Sequence, residues 1–244
     1  MERGLFIAAT GMLANQLRQD VIANNLANAT TAGYKGDRAV QQAFPAMLLQ
    51  QVQTGQQIGS LSLGTRVADV AIDSSQGAIR NTGNAYDLAI AGDGFFSVQA
   101  ATGVRYTRDG SFSVDAKNQL VTARGEPVLD RNNRPITIPP SGDRATIDEQ
   151  GNVIANGRTV ATLAVTVLDP QTLRKQGDDL YQGTPQRGGA QGRVEQGYLE
   201  QSNVNSVREM VDLIQTMRSF EASQKVTQAL DETLGKAVND VGRL

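Results

Sequence analysis

Residues 206–241 read SVREMVDLIQTMRSFEASQKVTQALDETLGKAVNDV, a stretch without proline in which Leu213, Met217, Phe220, Gln224, Thr227, Asp231, Leu234, Val238 and Val241 recur at alternating spacings of four and three. A 3.5-residue repeat makes a narrow seam for another helix, not a broad face for a globular core. Residues 3–28 carry the same alternation in Leu5, Ala8, Met12, Asn15, Gln19, Ile22 and Leu26. All seven prolines and nineteen of the 25 glycines fall between Pro45 and Gly197. A helix of about 35 residues is roughly 53 Å long, well beyond a small β module. The fold expected is therefore α+β: long N- and C-terminal helices pairing as a coiled coil, and a central all-β domain of antiparallel sandwich or open-barrel type. Both stripes include polar positions (Asn15, Gln19, Gln224, Thr227 and Asp231), which suit a seam that fixes register among several helices.

The divisions follow from the punctuation. The first helix, 1–30, ends near Asn28, where Asn-Ala-Thr-Thr-Ala-Gly33 is rich in turn residues. A connector spans 31–84. Within it 41–53 reads as a short helix, with Phe44, Leu48 and Val52 on one face and Pro45 in its first turn. After Gly55 the reading is extended. From Asp87 the chain changes to short strands with frequent turns, so 85–190 reads as the β domain. Gly92-Asp-Gly94 and Asp109-Gly110 have the composition of hairpin turns between the runs that flank them. Phe95, Tyr106 and Phe112, aromatic residues within strands, are expected in the core. A return segment covers 191–205. Ser206-Val-Arg-Glu209 has the form of a capping box that starts the last helix, 206–244.

Composition removes most chemistry. The chain has no histidine and no cysteine. Ser–His–Asp catalysis, imidazole ligands, disulfides, thiolate zinc sites and cysteine nucleophiles are thereby excluded. The net charge is −2 and Lys and Arg are scattered singly, so nucleic acid has no basic surface to meet. No apolar run is long enough to span a membrane, and the first residues lack the apolar stretch of a secretory signal. Export, if it occurs, needs another route.

The remaining motifs have ordinary readings. Gly92-Asp-Gly94-Phe-Phe-Ser97 resembles half a dinucleotide loop, but Ser97 stands where a third glycine belongs and strands follow. Asp130-Arg-Asn132-Asn-Arg134 and Asp115-Ala-Lys117 place cations where a calcium loop needs oxygen, so they read as turns. Asp178-Asp179 and Asp148-Glu149 read as solvated acids rather than a glycosidase pair. The chain reads as no enzyme and as needing no cofactor or metal. Asn24-Asn25-Leu26-Ala27-Asn28 admits two readings. It is a frayed helix end before a turn, or a helix-to-loop junction whose amides tie the helix to neighbouring backbone.

Five stretches carry a resemblance. DVIANNLANATTAGYK at 20–35 closely resembles the N-terminal signature of bacterial flagellar rod, hook and hook-associated proteins. GYLEQSNVN at 197–205, followed by EMVDLIQTMRSFE at 209–221, resembles their C-terminal signature. Between them LAIAGDGFF at 88–96 and YTRDGSF at 106–112 resemble the central β domain of the rod proteins. The resemblance covers nearly the whole chain. It implies a non-enzymatic subunit of the flagellar basal-body rod, the shaft that transmits torque from motor to hook. Within that family the 197–205 motif favours the distal rod type, and Lys175-Gln-Gly-Asp-Asp179 is similar to the last proximal type. The implied partners are further copies in a helical polymer, other rod proteins, the hook protein, the flagellar type III export apparatus and bushing-ring proteins; nucleic acid and membrane insertion are not among them. The implied location is the basal body, beyond the cytoplasmic membrane. Leu5, Met12, Ile22, Leu26, Leu213, Met217, Phe220, Leu234 and Val238 are the expected assembly seam, and Asn24 to Asn28 the expected junction. The competing class is an extracellular β-domain binding module on a helical stalk.

Overall fold

The computed structural model describes residues 2–43, 47–50, 57–61, 64–139, 145–177, 179–186 and 192–241. The chain divides into two units, one of Met1–Ala27, Asp37–Ala71 and Asn205–Leu244, the other of Asn28–Gly36 and Ile72–Val204.

The first unit is built on two helices, α1 (Glu2–Ala27) and α2 (Ser206–Val241). They run antiparallel. A methyl group on Gly4 would sit 3.3 Å from Leu230 Cδ1, one on Gly11 would meet Ser223 Oγ at 4.0 Å, and Asn25 hydrogen-bonds Glu209. The face of α2 turned to α1 thus runs through Glu209, Leu213, Thr216, Phe220, Ser223, Thr227 and Leu230. Thr216 is 3% exposed, while Met217 is 48% exposed. Small residues on α1 bring the two backbones close, and hydroxyls share the contact with Leu213, Phe220 and Leu230. Each hydroxyl is satisfied inside its own helix: Thr216 Oγ1 donates to Asp212 O at 2.7 Å, Ser223 Oγ to Ser219 O at 2.9 Å and Thr227 Oγ1 to Ser223 O at 3.0 Å.

Two strand pairs complete this unit, Asp37–Ala43 with Thr65–Ile72 and Met47–Gln50 with Gln57–Leu61. The short helix expected over 41–53 is overturned wherever those residues are described, because the chain there is extended and its backbone bonds go to a partner strand. Apolar residues on a helical spacing could not tell a helix from a strand whose partner lies ten residues on.

The second unit is a set of antiparallel sheets. The largest has five strands in the order Val165–Thr166, Phe95–Ala100, Gly103–Thr107, Leu180–Gln182, Arg174–Lys175. Thr146–Ile147, Asn152–Ala155 and Arg158–Thr162 form a three-stranded sheet. Its tight turn is Asn156-Gly157, both with positive φ. The core gathers Leu88, Phe96, Phe112, Leu120, Val128 and Val153. Phe96 stacks edge-on against Phe112 with centroids 5.2 Å apart. The next residue, Phe95, points to the opposite face, as strand alternation requires, and packs with Leu168, Leu173 and Tyr181 in a second cluster. Tyr106, expected in the core, is half-buried at the side of that second cluster.

Neither expected hairpin exists. Leu88–Ala91 pairs with Arg193–Gln196, more than a hundred residues away, and Phe95–Ala100 pairs with Gly103–Thr107. Ser113–Val114 pairs with Leu120–Val121, so Asp109-Gly110 joins strands of different sheets. Gly110 is glycine for another reason: a Cβ there would lie 1.6 Å from the Leu88 carbonyl oxygen.

Candidate assembly site

Four of the quoted stretches, distant in sequence, meet in one buried knot of the β unit. Lys35, Arg108 and Glu200 are 1%, 4% and 1% exposed. Glu200 Oε1 accepts from Lys35 Nζ at 2.6 Å and from Gly77 N at 2.8 Å; its Oε2 accepts from Arg108 Nε at 2.6 Å. Lys35 Nζ also donates to Ser75 O at 2.7 Å, and the Lys35 amide donates to the Tyr181 hydroxyl at 3.1 Å. The rest of the Arg108 guanidinium donates to the carbonyls of Gly94, Gly92 and Ile90. Gly92-Asp-Gly94 is therefore a cradle of carbonyls for an arginine, not a hairpin turn or a phosphate loop. The Glu200 carbonyl in turn accepts from Gly33 N at 2.8 Å. A side chain at Gly33 would strike the Arg108–Asp109 peptide at 2.3 Å, and its φ is +68°.

Burial pulls the Lys35 ammonium below the ordinary lysine range, Glu200 opposes that shift, and Arg108 beside it adds to it. A buried carboxylate between two buried cations is tolerable because every charged group also holds a neutral polar partner. Around it, Asn203 ties its own loop to two other backbone segments. Its Oδ1 accepts from Gly36 N at 2.8 Å and its Nδ2 donates to Asp73 O at 2.8 Å and Ser75 O at 3.1 Å. Sequence reading missed this knot. Its one signal was that Lys35, Arg108 and Glu200 each sit inside a quoted signature, and charged residues are read as surface residues by default.

The asparagine-rich helix end lies in the helical unit. Asn25, 2% exposed, uses its amide as a piece of strand: Nδ2 donates to Asp37 O and Asp37 N donates to Oδ1, both at 2.8 Å. It also bonds the Glu209 side chain, whose carboxyl burial pushes above its ordinary value. One side chain thus joins the end of α1, the first strand and the first turn of α2. Asn24 is exposed; Leu26 is half-buried and Ala27 exposed. Asn28, which falls in the other unit, accepts through its carbonyl from Thr31 N at 3.1 Å and through Oδ1 from Thr31 Oγ1 at 3.4 Å. The cap of α2 is Asn205, not Ser206: its Oδ1 accepts from Arg208 N at 3.1 Å and frees Glu209 for Asn25.

The seam residues spread over two faces. Ile22 is buried, and Met12, Leu213, Phe220 and Leu234 are half-buried; Leu5 and Met217 are exposed. Val238 belongs to α2, but its side chain lies outside the described residues. Leu230, which is not among the expected seam residues, faces Gly4. Further apolar side chains stand in solvent: Phe6, Leu13 and Leu17 on α1, and Val207, Met210, Val211 and Ile214 on α2. A chain that leaves such stripes uncovered while locking its β unit with buried charge has the build of a structural subunit.

Comparison with known proteins agrees. Residues 5–35 match the family described as flagella basal body rod protein, 89–155 the flagellar hook protein FlgE/F/G D1 domain, and 195–240 the flagellar basal body rod FlgEFG protein C-terminal region. The chain is 33% identical to the flagellar hook-basal body complex protein FlhO of Bacillus subtilis across the full length of both. It is 36% identical to the basal-body rod protein FlgG of Buchnera aphidicola from Schizaphis graminum, covering 95% of this chain and 97% of that one. With the basal-body rod protein FlgF of Caulobacter vibrioides it shares 35% over the full length of both. This chain belongs to the flagellar basal-body rod protein family.

Proposed function

We propose that this chain is a structural, non-enzymatic subunit of the flagellar basal-body rod, of the distal type, which polymerises through its terminal helices. The observation that carries the reading is the pair of apolar stripes outside the α1–α2 contact. Burying each such side chain contributes roughly 1.5–3 kcal/mol, so neighbours that cover them gain a strong driving force. In the polymer α1 and α2 form a coiled-coil layer, and the small antiparallel sheets form a barrel-like module of their own. The helices finish ordering only when neighbours arrive. Heterologous contacts that do not close produce a helical tube, which suits a shaft. The subunit is exported beyond the cytoplasmic membrane through the flagellar type III apparatus, and meets other rod proteins, the hook protein and the bushing rings in place.

The distal assignment rests on the GYLEQSNVN stretch at 197–205. A last-proximal assignment stands beside it, because identity to the FlgF relative matches that to the FlgG relative. Cross-linking and mass spectrometry of intact basal bodies separates them. Distal placement predicts cross-links to the hook protein, and proximal placement predicts cross-links to other rod proteins alone. A deletion strain that builds normal flagella removes the rod reading altogether.

A further inference from the structure

We infer that residues 193–203 are the closing clasp of the β unit: that unit does not fold until this segment arrives, and it stays open while the earlier part of the chain is being made. The segment supplies one strand to each of two sheets. Arg193–Gln196 pairs with Leu88–Ala91 and Tyr198–Glu200 with Ile79–Asn81, and each of these sheets has two strands. Val194, 2% exposed, joins Leu88 and Ile90 in the core.

Its side chains reach further. Gln196 Nε2 donates to Ala85 O at 2.8 Å and to Ala145 O at 2.9 Å, and its Oε1 accepts from Ile147 N at 3.0 Å. Glu200 is the counter-charge of buried Lys35 and Arg108, and Asn203 holds Gly36, Asp73 and Ser75. Without the segment, two buried cations lose their carboxylate, and the buried strand Leu88–Ala91 loses the partners of its backbone. A domain's net stability is a small difference between large opposing terms, so what remains does not close.

Chain order turns this into a delay. The partners of the segment just named lie between Lys35 and Ile147, all earlier in the sequence, and from Asn205 on the chain belongs to the helical unit. Synthesis from the N-terminus therefore delivers the clasp last among the described strands of the β unit. Its strand Arg193–Gln196 must find Leu88–Ala91 across more than a hundred residues, an entropy cost met before any contact repays it. The folding barrier is crossed with the clasp in place.

Tyrosine emission reports on this unit, which holds every tyrosine of the chain. In the full-length protein, Val194→Ala and Glu200→Gln are expected to slow refolding from urea several-fold and to leave the unfolding rate nearly unchanged. If Glu200→Gln does not fold, Val194→Ala still decides. Faster unfolding at an unchanged refolding rate means that the segment docks onto a unit already folded, and overturns the inference. Hydrogen exchange in the parent chain gives a second reading. The amides of Gly33, Thr82 and Gly197, each in a hydrogen bond with the clasp, should exchange as slowly as those of Ser97 and Leu129 in the core. Exchange many-fold faster at those three shows the clasp opening alone and overturns it too. In synchronised cell-free synthesis of the full chain, pulse proteolysis should find no resistant β fragment until complete chains are released. A resistant β fragment on incomplete chains means that the unit folds without its clasp.

Discussion

The β unit encloses two cations and a carboxylate almost completely, whereas the helical unit leaves Leu13, Leu17, Val207 and Ile214 in solvent. In the first, Lys35, Arg108 and Glu200 bond only to one another and to neighbouring polar groups, which permits a single arrangement of the backbones they join. In the second, the helix pair is made through glycines and hydroxyls beside Leu213, Phe220 and Leu230, while a second set of apolar residues faces outward. Buried charge specifies one structure and offers little to a partner. Exposed aliphatic surface specifies little alone and offers much. The contrast suits a chain that must hold its own β unit and be completed elsewhere by neighbours.

The contrast can be measured. All five tyrosines (Tyr34, Tyr86, Tyr106, Tyr181 and Tyr198) lie in the β unit. Tyrosine emission therefore follows that unit, and ellipticity at the helical band follows the other. The largest expected effect is on assembly. Leu213→Asp or Phe220→Asp places a charge in the α1–α2 contact and should abolish incorporation into the rod while leaving the tyrosine transition unchanged. Normal flagella in either variant strain would break the comparison at its root.

Next comes Glu200→Gln. The substitution keeps the shape and leaves Lys35 and Arg108 buried without their counter-charge, a loss of about 3–5 kcal/mol from the β unit. Lys35→Met should cost less, because Glu200 keeps Arg108 and the Gly77 amide and a desolvated ammonium is removed. Urea unfolding followed by tyrosine emission checks both. If Lys35→Met is the more damaging, the carboxylate is not the centre of the knot.

What could be read in advance has a physical pattern. The terminal helices were legible because a repeat over 26 or 36 residues leaves no other structure that buries it. Sheet pairing was not. Leu88–Ala91 finds Arg193–Gln196 through a long-range choice that no local turn announces, so Gly92-Asp-Gly94 took the meaning of its composition. The contact face of α2 departs from the expected seam at alternate positions: Gly4 and Gly11 meet Leu230 and Ser223, and Thr216 rather than Met217 is buried. Burial of Lys35, Arg108 and Glu200 depended on chain segments more than sixty residues apart meeting, and composition carries no trace of that. Between the two asparagine readings the geometry of Asn25 supports the tie to neighbouring backbone, while exposed Asn24 lends it less.

Asn25→Leu sharpens that last point. It strands the Asp37 N–H and C=O beside an apolar side chain, at about 1–3 kcal/mol for a polar group left unpaired. The loss should appear in the helical ellipticity transition and not in tyrosine emission, and should reduce assembly. An equal fall in both signals would mean that Asn25 supports the whole chain rather than the helical unit.

The smallest effect is a pH dependence confined to the helical unit. Burial is the main reason that the Glu209 carboxyl sits above its ordinary value near 4.5; Asp212 adds to the shift and the Asn25 hydrogen bond opposes it. A carboxyl whose folded pKa is raised favours the folded state most when protonated. Its contribution is complete below about 4.5 and is lost as pH rises through the raised folded value. Other carboxylates of the unit titrate in the same region, so the informative quantity is the difference between parent and Glu209→Gln. Glutamine resembles the protonated acid and can still accept from Asn25. The variant should match the parent below the ordinary glutamate value and become the more stable of the two as pH rises toward neutrality. Helical ellipticity melts across that range would show it. A variant less stable than the parent at neutral pH would mean that the ionised Glu209 strengthens its bond to Asn25 by more than burial weakens it, and the first turn of α2 would then be held by charge after all.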